Sequence, residues 1–172
     1  MFNQDVSKKF KFNNYDAMVA RKLIELEEKP EAIIYFSKVC DKLSDYAYWY
    51  FLSTLWVSYT GYSDINLWKK LFAAKRKFKT ISIMKPSEVE EFNKLNSNIN
   101  AYRVHRKGEE DWIAYTLSLD IAKRFAKERN VETISLYKIK KKDVECLFLR
   151  RGEQEVLLLN KDKAKFIEEI TL

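Results

Sequence analysis

The stretch Arg151-Gly152-Glu153-Gln154-Glu155-Val156-Leu157-Leu158-Leu159 brings two carboxylates, one residue apart, into an apolar run. Val156 to Leu159 has the length and bounds of a buried strand, and alternate side chains of a strand share a face. Glu153 and Glu155 are therefore expected to point together into one site. Two acids held that way serve chemistry or a cation, or else stand as solvated charges at a strand entrance.

Working back from it, the chain reads as short strands around one helix. Ile99 to His105 alternates as a strand. Ile113 to Leu117 is a second, leading at once into a helix with Ile121, Ala122, Phe125 and Ala126 on its apolar face, capped by Ser118 or Asp120. Thr133 to Ile139 alternates again and Cys146 to Leu149 is apolar. Phe166 to Leu172 forms a last strand or a short helix.

Before Asn96 the period is helical. Asn14 or Asp16 caps a helix carrying Val19, Leu23 and Leu26 that ends before Pro30. A second begins near Pro30 with Ile33, Ile34, Phe36, Val39 and Leu43, and runs through an uncharged stretch from Tyr46 to a stop near Gly61. Asp64 starts a third, with Leu67, Trp68, Leu71 and Phe72 on its apolar face. The basic run Lys75 to Lys79 reads as its solvated tail or a polyanion contact. Pro86 opens a short helix with Ser87 as cap and Glu90 closing a capping box. The expected architecture is α+β: a helical leader over 1–96 packed on a mixed β core over 97–172, in one compact unit.

Composition narrows the function classes. With 172 residues, 47% of them hydrophobic, the chain has a core and is not disordered. The net charge of +7 permits a polyanionic partner, nucleic acid included. Residues 1–100 hold 16 basic and 12 acidic side chains and 101–172 hold 16 and 13, so along the sequence the excess is spread. Cys40 and Cys146 sit among apolar neighbours with no metal or disulfide spacing. His105 is the only histidine, so no metal site is expected. The start lacks a signal peptide, and the uncharged stretch, with five tyrosines, is too polar for hydrocarbon; a cytoplasmic protein without membrane contact follows.

Three elements stand in a fixed order: Tyr102-Arg103, then Ala114-Tyr115-Thr116 running into Asp120 to Ala126, then Glu153-Gln154-Glu155. That order resembles the ADP-ribosyltransferases of the arginine, serine, glutamate class, and more narrowly small phage and prophage proteins of that fold. The close resemblance spans roughly residues 99 to 160. It implies NAD as substrate, with Arg103 on the pyrophosphate and Glu155 beside the ribose that bears nicotinamide. It implies Glu153 as general base toward a macromolecular acceptor, protein arginine first, in the host cytoplasm if the chain is phage-encoded. Tyr102, Thr116 and Phe125 would line the dinucleotide pocket, and Arg106 is a second phosphate candidate.

Aligned by the distance to Ala122 and Phe125, the family's Ser-Thr-Ser motif falls on Ala114-Tyr115-Thr116. Alanine then replaces the serine that orients the catalytic glutamate, and Val104 follows Arg103 where the phage relatives carry glycine. Thr116-Leu117-Ser118 is the other register. Two further functions compete: a noncatalytic module of the same fold that binds a host protein or nucleic acid, and an NAD glycohydrolase with water as acceptor.

Overall fold

The computed structural model describes residues 13–59 and 64–172. The protein is α+β and forms two compact units, Met1–Glu90 and Glu91–Leu172. The break falls before the expected 96/97 boundary. Lys141, from the second unit, explains the shift: its ammonium donates to the carbonyls of Asn93 (2.8 Å) and Leu95 (3.0 Å), tying the end of the connecting helix to that unit.

In the first unit, α1 (Asn14–Glu25) is capped by Asn13, whose side chain accepts from the Tyr15 and Asp16 amides, rather than by Asn14 or Asp16. Asp16 is instead buried, accepting from the Ser44 amide at 3.0 Å and the Ser44 hydroxyl at 2.5 Å. That contact breaks the expected second helix in two. After α2 (Glu31–Val39) and a 3-10 turn at Cys40–Lys42, Ser44 is held as the cap of a new helix, α3 (Asp45–Ser58), its hydroxyl accepting from Ala47 N at 3.2 Å. The stop expected near Gly61 lies outside the described residues. α3 buries Tyr46, Tyr48, Trp49 and Leu52; no helix among the described residues is long and apolar enough to cross a membrane.

Replacing Asp16 by alanine leaves the part-buried Ser44 amide without its acceptor. The expected loss in denaturant unfolding is about 2 to 3 kcal/mol, with Asp16→Asn, which keeps one acceptor, closer to the parent.

α4 (Ile65–Phe72) starts at the Asp64 cap as expected and buries Trp68, Leu71 and Phe72. The basic run beyond it is solvated only in part, at Lys75 and Lys77. The Arg76 guanidinium donates to the carbonyls of Leu43 and Asp41, both at 2.9 Å, and lies over the Tyr48 ring; Lys79 donates to the Phe72 carbonyl. These two cations close off backbone acceptors, so they hold the unit together. α5 (Lys79–Ile83) follows, then α6 (Pro86–Lys94), whose capping carboxylate is Glu88, accepting from Lys85 N at 2.7 Å; this pairing sits two residues earlier than the Ser87 and Glu90 box suggested.

The second unit is a six-stranded sheet with one helix of its own. Its elements are β1 (Asn98–Arg103), β2 (Ala114–Thr116), α7 (Leu119–Arg129), β3 (Thr133–Lys140), β4 (Cys146–Phe148), β5 (Glu155–Leu157) and β6 (Lys165–Thr171), ordered β4-β5-β2-β1-β3-β6. Every pairing is antiparallel, so the expected mixed core is corrected. β1 and β3 pair at six positions, whereas β1 and β2 meet at Tyr102–Thr116 alone, which makes that seam the weakest in the sheet. Val104, Ala122, Ala126 and Ile134 form a small core beneath α7, with Tyr102, Phe125 and Ile170 packed against it.

Candidate functional site

Strands β5, β2 and β1 lie side by side, so three segments distant in sequence become neighbours. Thr116 pairs with Tyr102 on one side and with Glu155 on the other. Directly opposed residues of antiparallel strands share a face. Tyr102, Thr116 and Glu155 therefore make one row on one face of the sheet, and Glu155 is half-buried there.

The register corrects two expectations. The first concerns the residue opposite Glu155, which is Thr116 and not Ala114. The second concerns the acid pair. β5 begins only at Glu155, and Gln154 before it is left-handed, with φ +46°. Strand alternation does not reach Glu153, so the two carboxylates are not set on one face by the pleat.

Thr116 fixes that turn. Its hydroxyl donates to the Glu153 carbonyl at 2.6 Å and accepts from Ser118 N at 3.2 Å, while Leu117 N donates to the Gln154 carbonyl at 3.0 Å. One side chain thus fastens the glutamate turn to the start of α7, where Ser118 is the cap, its hydroxyl accepting from Ile121 N. Glu153 is engaged as well: Arg151 donates to its carboxylate through Nε (3.1 Å) and Nη2 (2.6 Å), with Arg124 3.9 Å away.

Arg103, one residue past Tyr102, leaves the sheet on the other face. The expected direct convergence of its guanidinium with Glu155 is therefore not what the strand register produces. Its fork is occupied by Glu109, Nε to Oε2 at 3.2 Å and Nη2 to Oε1, and its Nη1 donates to the Ala114 carbonyl at 2.9 Å. Only 14% of the arginine side chain and 11% of the glutamate are exposed, so this is a buried pair.

A turn with Gly108 at φ +74°, closed by Glu109 N to the Arg106 carbonyl, brings Glu109 back onto the strand. Glu109 also lies 3.0 Å from His105 Nδ1, and His105 Nε2 lies 2.8 Å from the Tyr137 hydroxyl. A carboxylate can only accept, so Nδ1 carries a proton. Burial alone would raise the Glu109 carboxyl; the hydrogen bond from His105 and the charge and hydrogen bonds of Arg103 outweigh it and bring it to about 2.

The Trp112 ring rests against His105 and its indole N–H donates to the Tyr115 hydroxyl at 2.9 Å; burial pushes that phenol up to about 12. Trp112 and Tyr115 are thus walls of this network, and His105 its bridge.

Phe125 belongs to the core under α7, with the guanidiniums of Arg124 and Arg129 each 5.2 Å from its ring centre. Arg129 donates to the Val104 carbonyl at 2.6 Å, and its acidity is strengthened by burial first and then by the charges of Arg103 and Arg106. Three guanidiniums therefore gather at the end of β1, and Arg106 among them is exposed. Sequence reasoning missed Glu109, Arg129 and Tyr137. The turn residues Lys107-Gly108-Glu109 were the available signal for the first; the other two depend on packing.

Among the described residues no three histidine, cysteine, aspartate or glutamate side chains gather as metal ligands. No protein-family model, curated protein or solved structure matches the chain.

Proposed function

We propose that the second unit is an NAD-binding domain of ADP-ribosyltransferase type, transferring ADP-ribose to a macromolecular acceptor, with protein arginine as the first candidate. The observation that carries the reading is the adjacency of β1, β2 and β5, with Thr116 opposite Glu155. In this reading Glu155 accepts from a ribose hydroxyl and stabilises the positive charge that develops as the bond to nicotinamide breaks. Glu153, held by Arg151, turns to the acceptor as base.

Because Arg103 and Glu155 leave the sheet on opposite faces, the dinucleotide in this reading passes around the end of β1, with its pyrophosphate in the seat there. A planar guanidinium fork that binds a carboxylate at two points binds a phosphate in the same way, so Glu109 occupies the place of the anion. Arg106 and Arg129 add positive charge beside it.

That same clasp favours a second reading. With the Arg103 fork filled by a carboxylate and Glu153 tied to Arg151, two of the charged groups implied by the resemblance already have structural partners. A noncatalytic module has no need to release them. Incubation with labelled NAD separates the readings: nicotinamide release with label on an arginine-rich acceptor supports the transferase, and release without transfer indicates a glycohydrolase. No release above the level of Glu155→Gln leaves the noncatalytic module.

A further inference from the structure

The charge that is spread along the sequence is gathered by the fold. Lys138 pairs with Asn100 on one side and Lys165 on the other, and Lys140 pairs with Asn98. Opposed residues share a face and alternate residues share a face, so these five side chains form one patch, and all five are exposed. The patch lies on the same face as Tyr102 and Ile134, where α7 packs, but at the other end of the strands.

Lys141 and Lys142 continue it. With Lys140, Asn98, Ser97, Phe92 and Val144 they line an open groove of about 550 Å³. Lys141 is spent on the end of α6 and covers the Phe92 ring at 5.3 Å, so it adds charge without being free to move. The bordering acids are Asp143, which bonds Lys163 at 2.8 Å, and Glu168, opposite Leu136. Like charges set directly opposite across a sheet destabilise it, and Lys138–Lys165 is such a pair. A bound polyanion offsets that repulsion.

We propose that this face of β1, β3 and β6, with the groove beside it, binds the phosphate backbone of a single-stranded nucleic acid. Lysines at alternate strand positions recur about 7 Å apart. That spacing offers point charges to a backbone that carries a negative charge on every unit whatever its sequence. Asn98 and Asn100 present amide donors and acceptors between the lysines for sugars or bases. A positively charged groove that tracks the backbone is one of the elements by which single strands are held without sequence preference. The site is separate from the β2–β5 glutamates and does not depend on NAD binding.

Fluorescence anisotropy with a labelled oligothymidine of about 20 nucleotides tests it. The expected result is binding that weakens with salt, with a log–log slope of about −3 for four or five phosphates contacted. Lys138→Glu/Lys165→Glu weakens binding at least about 10-fold, as expected for loss of neighbouring backbone contacts. Lys123→Glu/Lys127→Glu, on the exposed side of α7, leaves the affinity within a factor of about two, since those lysines touch no part of the patch.

Circular dichroism checks that both variants are folded, and nicotinamide release in the first should match the parent, so failure here is separable from failure of the NAD reading. Equal loss in both double variants, salt-independent binding, or displacement of the oligonucleotide by poly-glutamate at equal charge concentration overturns the proposal.

Discussion

Glu109→Ala should lower the stability of the second unit by about 3 to 5 kcal/mol, because it leaves the Arg103 guanidinium buried with one carbonyl for a partner. Denaturant unfolding measures it. Replacing both partners by apolar residues, as in Arg103→Met/Glu109→Leu, should recover most of that loss, since no buried charge then remains. Equal destabilisation by the single and double replacements would contradict the assignment of Arg103 and Glu109 as one buried pair.

The pair also sets a pH window. The Glu109 carboxyl is depressed in the folded protein from its ordinary 4.5 to about 2. A depressed carboxylate adds stability that is fully present above the unfolded value and disappears as pH falls through the folded one. Stability should therefore decline between pH 4.5 and about 2 in the parent. It should decline less in the double replacement.

Glu155→Gln should reduce nicotinamide release by about 1000-fold, the scale of removing one group that stabilises charge in a transition state. The amide is nearly isosteric and keeps the hydrogen-bonding shape of the position, so stability should stay close to the parent. The effect on turnover then belongs to the charge. Glu153→Gln should lower label transfer more than release, because a base toward the acceptor acts after the glycosidic bond has weakened.

Much of the fold was legible because local signals agreed with the tertiary answer. The period of two in Thr133 to Ile139, the Asp64 and Ser118 caps and the apolar face around Ala122 and Ala126 all lie where the sequence puts them. Two of the failures share one cause, a long-range contact overriding a local pattern. Asp16 reads as a helix cap, yet it reaches Ser44, 28 residues away, and splits one expected helix into α2 and α3.

Lys75 to Lys79 reads as solvent-facing charge, yet Arg76 and Lys79 find backbone carbonyls. At the candidate site, the adjacency of the three motif-bearing strands could be expected, but their faces could not. One left-handed residue, Gln154, removes Glu153 from the strand. One step along β1 carries Arg103 to the opposite side from Tyr102. The basic patch was invisible for the same reason, since it is made by pairing Lys138 with Lys165 across two strands rather than by a run of lysines.

The central claim is that one dinucleotide engages both the end of β1 and the β2–β5 turn, around the seam where β1 and β2 are joined at a single pair. Backbone amide chemical shifts followed during titration with NAD report on it directly. The account predicts that the amides of Arg103, Arg106 and Glu109 move together with those of Thr116, Ser118 and Glu155, with one common saturation curve. Shifts that leave either group untouched at saturation, or that saturate at different concentrations for the two groups, would contradict it.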